Sequence, residues 1–189
     1  MNKSPRRIVT GHDAAGKSVV AIDTLLAPKV SNPERGVDFY EIWNTAGSPA
    51  PVDNGADPTD RPLTIPPPKR GSIIRYVDFA PESAATRTMD AEAARAAFAA
   101  VGTAHASTWQ PDRHPMMHRT ETVDYGIVVE GEITLILDGT ETALRAGDIV
   151  VQRGTDHAWA NRSGKPARMA FILLDGAFSP ELRKLLEKS

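Results

Sequence analysis

The 189-residue sequence contains no cysteine. Disulfides, thiolate zinc sites, iron–sulfur clusters and cysteine nucleophiles are thereby excluded, so any metal must sit on histidine and carboxylate. Long apolar runs are also missing. None approaches the roughly 20 residues that span a bilayer, and the opening Met1-Asn2-Lys3-Ser4-Pro5-Arg6-Arg7 leads into no apolar signal core. A soluble, cytoplasmic chain without a membrane partner is expected. Neither sign of charge dominates: 22 Lys and Arg stand against 24 Asp and Glu, for a net charge of −2. No polybasic face is available to neutralise phosphates, and nucleic acid is not expected as a partner.

What is present suits one domain carrying an extension, with 41% hydrophobic content to build a core. Arg7 to Thr10 and Ser18 to Ile22 are β-branched runs around a glycine-containing turn and read as a hairpin. Asp38 to Asn44 reads as a further strand. From Thr45 to Gly71 the prolines at 49, 51, 58, 62, 66, 67 and 68 mark a long irregular connection. Ser72 to Phe79 is a strand stopped by Pro81. Asp90 to Val101 is the clearest helix, with good helix formers, a capping residue and Gly102 just past its end. From Thr122 to Leu174, six short strands follow one another with Glu130-Gly131-Glu132, Asp138-Gly139 and Ala146-Gly147-Asp148 between them. This pattern predicts an antiparallel sandwich or barrel. Ser179-Pro180 opens a short terminal helix.

Gly11-His12-Asp13-Ala14-Ala15-Gly16-Lys17-Ser18 satisfies the P-loop pattern by letter. That motif works by opening a helix whose backbone N–H groups meet phosphates. Here Val19, Val20, Ala21 and Ile22 follow and favour a strand. The segment is read as a hairpin turn, and no nucleotide cofactor is expected.

Alternate residues of a strand share a face. If the chain is extended from His118, then Thr120, Thr122, Asp124, Gly126 and Val128 face the same way as that histidine, while Glu121 faces the other. Histidine, hydroxyls and carboxylate on one face do not make an ordinary core. His157, Trp159 and Asn161 form a second such set. His114 has the parity to join the first set at the strand entrance.

These stretches resemble the two motifs of the cupins, in a branch of small bacterial and fungal members. His118-Arg119-Thr120-Glu121-Thr122-Val123-Asp124 followed by Gly131 is similar to the first motif, with Thr120 at its second histidine and Asp124 at its glutamate. Gly147 to Asn161 is similar to the second, with Gly154, His157 and Asn161 matching and Gln152 at the usual proline. The resemblance covers roughly residues 110 to 175. It implies an all-β double-stranded β-helix, a jelly-roll barrel over residues 71–178. Residues 1–70 would be an N-terminal β extension and proline-rich loop packed on the barrel, and 179–189 a C-terminal helix, within one structural domain.

The resemblance also implies a divalent metal, Fe, Mn, Ni or Zn, held by His118, Asp124 and His157, three ligands rather than four because Thr120 is a poor donor. Such a metal could stabilise an enolate in a decarboxylase, other lyase or isomerase acting on a small organic acid. With Fe(II) it would suit a dioxygenase. A non-catalytic small-ligand-binding barrel is the alternative. Thr120, Trp159, Arg75 and Met116 are the expected substrate contacts, with Met117 beside Met116 on the apolar wall and Arg168 as a second candidate cation. A homodimer is expected, because the hairpin and the strand Asp38 to Asn44 offer sheet edges.

Overall fold

The computed structural model describes residues 3–187. Among the described residues there are eleven strands and three α-helices, ten of the strands and two of the helices in the order expected from the sequence, and every strand pairing is antiparallel. Strands β1 (Arg6–His12) and β2 (Ser18–Leu25) form a separate hairpin. Strands β3 (Val30–Asn32), β4 (Val37–Thr45), β5 (Ser72–Phe79), β6 (Thr122–Glu130), β9 (Ile149–Arg153) and β11 (Ala167–Asp175) make the large sheet, in the order β3-β4-β5-β11-β6-β9. Strands β7 (Glu132–Ile136), β8 (Glu141–Arg145) and β10 (Ala158–Ala160) make the small sheet, in the order β10-β7-β8.

Alternation decides what each sheet presents inward. On β6, Thr122, Asp124, Gly126 and Val128 are buried and Val123, Tyr125 and Val129 exposed, the parity expected from the sequence. Val128 and Met169 from the large sheet pack on Ile133, Leu135 and Leu144 from the small one. This is the jelly-roll core, which holds the two sheets together by burying apolar side chains at about 1.5–3 kcal/mol each.

Helix α2 (Ala91–Ala99) is capped by Asp90, whose carboxylate accepts from the Ala93 N–H at 2.8 Å, and Gly102 follows it at φ +70°. Its buried Phe98 packs with Val101 and with Leu63 from the proline-rich segment. Residues 46–71 contain no helix or strand, yet the segment is tied down. Asn44 Nδ2 donates to the Pro58 carbonyl at 2.7 Å, Asp57 pairs with Arg7, and the Ile65 N–H donates to Thr103 Oγ1 at 3.2 Å. It is a strap tied to β4, to the β1–β2 hairpin and to the segment after helix α2.

The hairpin reading of residues 11–18 agrees with the structure. Asp13 Oδ1 accepts from the N–H groups of Ala15 and Lys17 at 2.8 and 2.9 Å, so a side chain of the same turn takes up donors that a phosphate would need. One expectation is corrected. Strand β4 is covered by the short β3 over Val37 to Phe39, so only its later residues remain at the edge of the sheet. Two short elements were not foreseen: β3, and the helix α1 (Ala84–Arg87) capped by Ser83. Both are too short to carry a periodic signal.

Candidate functional site

A cavity of about 1150 Å³, its open mouth included, lies over the inner face of the large sheet. Most of its wall is apolar: Phe39, Val77, Phe98, Met116, Trp159 and Phe171 all contribute. Strand parity brings polar groups into this setting. Arg75 follows Ile73 and precedes Val77 on the inward face of β5, and Asp124 lies between Thr122 and Gly126 on β6.

His118 and His157 come from two segments joined by a pair of backbone hydrogen bonds, 2.9 and 3.0 Å long. Their rings lie 4.2 Å apart, centroid to centroid. His118 Nδ1 is 3.0 Å from the Met116 carbonyl, and His157 Nδ1 is 3.0 Å from the Thr155 carbonyl. A nitrogen facing a carbonyl must donate, so each Nδ1 carries the proton and each Nε2 keeps a lone pair. Burial holds both imidazoles below the usual histidine range, and His157 falls further because charge on His118 also opposes its protonation. His118 is therefore the stronger base of the pair. Phe98 stands 5.1 Å from the His118 ring, while Trp159 meets His157 edge-on at 5.9 Å.

The Asp124 carboxyl is buried, and its Oδ1 has no hydrogen-bond partner among the described residues. Burial pushes it up to about 6, against the opposing pull of the Thr122 hydroxyl and the Arg75 charge. Arg75 is buried too and is brought down to about 10, chiefly by desolvation, with Glu41 opposing. Its Nη2 donates to the Thr64 carbonyl at 2.6 Å and pairs with Glu41 at 3.2 Å, and Arg61 reaches the other Glu41 oxygen at 3.0 Å. Arg75 thus borders the cavity paired with Glu41, a carboxylate it shares with Arg61.

The second motif is built by its turn. Gly154 sits at φ +59°, where an added Cβ would lie 2.6 Å from Phe178 Cε1 and 3.0 Å from the Thr120 carbonyl oxygen. Gln152, at the usual proline position, pairs with Asp124 across the β6–β9 ladder and reaches Thr155 with its amide, tying the same turn by a side chain. Asn161 Nδ2 donates to the Phe79 and Lys165 carbonyls at 2.8 and 2.7 Å, anchoring the end of β10.

Of the expected site residues, the fold brings His118, Thr120, Asp124, His157, Trp159, Arg75 and Met116 to one cavity. It does not assemble the three-ligand metal set. Among the described residues, no three His, Asp or Glu side chains form a group that could hold a metal ion. The two histidines meet, but Asp124 lies in the field of the Arg75 guanidinium, and the Thr120 hydroxyl is engaged with that of Thr122 at 2.8 Å. The donor set does not fit, and no chemical step is routed through a metal here.

Three further expectations are corrected. His114 is not a reserve ligand, because it lies behind the cavity lining with its Nε2 bonded at 2.6 Å to the lining residue Glu82. Met117 turns away from the wall and packs with Ile136, Ala158 and Ala160. Arg168 does not face the cavity but holds Asp78 through two bonds of 2.5 and 2.7 Å. Sequence reasoning missed Arg35, Gln152 and Phe98, which also line the cavity; Arg35 and Phe98 lie outside the motifs, where no local signal marks them.

An antiparallel two-sheet barrel enclosing a mostly apolar cavity, with paired neutral histidines and a buried acid on its wall, is the architecture of a jelly-roll protein. The profile of the cupin domain matches residues 106–173. Phomopsin biosynthesis cluster protein C' of Diaporthe leptostromiformis is 33% identical over 183 residues, covering 92% of this chain and 79% of that protein. A cupin-domain-containing oxidoreductase of Aspergillus ruber is 31% identical over 178 residues, covering 89% and 71%. The solved cupin_2 domain of an XRE family transcriptional regulator from Enterobacter cloacae is similar at TM-score 0.38 and 13% identity, covering 76% of this chain and 98% of that one. The chain belongs to the cupin family. Among the described residues no helix is long and apolar enough to cross a membrane.

Proposed function

We propose that this cupin is an enzyme of the lyase or isomerase type that moves a proton on a small, largely apolar carbonyl compound bound in the barrel. The observation that carries this reading is the pair of buried, neutral imidazoles, each with Nδ1 tied to a carbonyl and Nε2 left as an acceptor toward the same cavity as Asp124. His118, the stronger base, takes a proton from the carbon beside the carbonyl. The C–H electron pair becomes a C=C bond, the carbonyl π pair moves onto the oxygen, and Asp124, which burial keeps protonated up to about pH 6, hands that oxygen its proton. Return of the proton to another carbon completes an isomerisation. Expulsion of a group from the next carbon completes an elimination.

The test is deuterium uptake from D2O into phenylpyruvate and phenylacetaldehyde, followed by NMR. The wild type should exchange these C–H bonds well above the buffer rate, and His118→Ala should lose on the order of 100-fold or more. Exchange that is equal in wild type, His118→Ala and Asp124→Asn overturns the reading.

The name borne by the Aspergillus ruber relative favours a second reading, oxidation of a substrate in the same cavity. Dioxygen uptake, or reduction of an added electron acceptor, without proton exchange would replace the first reading. Ligand binding with neither activity would leave a non-catalytic barrel. A homodimer is part of the same proposal: Ile149 and Val151 on β9, the open edge of the large sheet, are exposed. Light scattering should give twice the chain mass, and a monomer would remove this part.

A further inference from the structure

Six ionisable side chains line the cavity, namely Arg35, Arg75, Glu82, His118, Asp124 and His157. Five of them are accounted for within the protein. Arg75 is paired with Glu41, and Glu82 bonds His114 at 2.6 Å with Arg87 at 3.7 Å. The two histidines are neutral and tethered, and Asp124 shares the fields of Thr122 and Arg75.

Arg35 is different. Its backbone N–H donates to Asn32 Oδ1 at 3.0 Å, but its guanidinium has no hydrogen bond and no ion pair among the described residues. Its ordinary value is lowered by burial alone, with no carboxylate opposing. A half-buried guanidinium loses hydration, and without a counter-charge nothing inside the protein compensates that loss.

The fold places Arg35 deliberately. Pro33 to Gly36 form the turn from β3 to β4, with Gly36 at φ +63°. The Gly36 carbonyl accepts from the Ala80 N–H at 2.7 Å, and a Cβ on Gly36 would lie 2.5 Å from the Ala80 Cβ. Only glycine lets this turn close onto the end of β5, and closing it carries Arg35 over the cavity beside Val37 and Ala80. The Arg35 charge is felt at His118.

We infer that Arg35 is the anchor for a carboxylate on the ligand of this cavity. One unpaired guanidinium in a mostly apolar chamber matches a singly charged planar anion, which it can grip with two parallel N–H donors. A phosphate monoester would bring about two charges to a site that offers one free cation among the described residues. The inference rests on the reading of the cavity as the substrate site, and it narrows the substrate to an aromatic or other apolar acid held with its charged end at Arg35.

Isothermal titration of the full chain with cinnamate and with its neutral isostere cinnamamide tests this. Wild type should bind cinnamate about 10- to 100-fold more tightly, as for hydrogen bonds to a charged partner. Arg35→Met and Arg35→Gln should lose that preference while binding cinnamamide as wild type does, which also reports that the variants are folded. Arg35→Lys should keep part of it, as a point charge without the fork. If wild type binds both compounds equally, or Arg35→Met and Arg35→Gln still prefer cinnamate, the assignment of Arg35 is overturned while the cavity stands. If neither compound binds wild type, the cavity reading falls and the Arg35 assignment with it.

Discussion

Replacing Asp124 by Asn should stabilise the protein at pH 8 and leave its stability unchanged near pH 4. The Asp124 carboxyl rises from 3.8 to about 6 on folding, because burial penalises its charged form. For an acid raised in this way, stability is fully present below pH 3.8 and is lost as the pH climbs through about 6, where the folded protein must hold a desolvated carboxylate. At about 1.36 kcal/mol per pH unit, that gap of roughly 2 units costs the wild type about 3 kcal/mol above pH 6. Asparagine is nearly isosteric and never ionises, so Asp124→Asn avoids the cost. For a chain of this length 1 kcal/mol moves Tm by about 2–4 °C. The variant should therefore melt about 6–12 °C above wild type at pH 8, with the difference closing toward pH 4. Paired thermal melts by circular dichroism at half-unit pH steps measure it. A difference that is constant from pH 4 to 8, or of opposite sign at pH 8, would refute the argument. Because Asp124 also supplies the proton in the proposed reaction, the stabilised variant should be the inactive one.

Asp78→Asn should be costly, since it leaves the Arg168 guanidinium, which lies 5.6 Å and 5.4 Å from the Tyr40 and Tyr76 ring centres, without its carboxylate. Urea denaturation should show a loss of about 3–5 kcal/mol, and a loss under about 1 kcal/mol would mean that the pair is solvated. Gly154→Ala, forced to φ +59° with its Cβ against Phe178 and the Thr120 carbonyl, should lose at least about 1 kcal/mol. An unchanged denaturation midpoint would show that the turn can relax. Prolonged dialysis against EDTA should leave Tm within about 1 °C, since histidine and carboxylate do not gather into a three-donor group among the described residues. Release of one metal per chain accompanied by a fall in Tm would contradict that.

Local pattern told most of the fold. β-branched runs punctuated by Asp-Gly and Gly-Asp turns placed the strands of the barrel within a residue or two, and Asp90 and Gly102 bracketed helix α2. These features are local because turn geometry and capping act between residues a few positions apart. Period-two alternation put Asp124 and Gly126 on the inward face for the same reason.

What alternation could not decide is how far apart two inward side chains end up, or which other side chains reach them first. His118 and His157 meet because their segments pair in an antiparallel bridge, whereas Asp124 is drawn into the field of an arginine on β5, a strand separated from β6 by β11. His114 and Arg168 carry the right chemistry and sit near the motifs, yet Glu82 and Asp78, far away in sequence, claim them. Arg35 shows the converse: nothing around it in the sequence suggests a site, and its place over the cavity comes from a glycine turn clamped to Ala80 at the end of another strand. The sequence by itself determined a cysteine-free cupin barrel with two motif histidines facing inward. Only the tertiary structure decided which charges are neutralised and which is left free, because pairing depends on through-space distance and burial rather than on spacing along the chain.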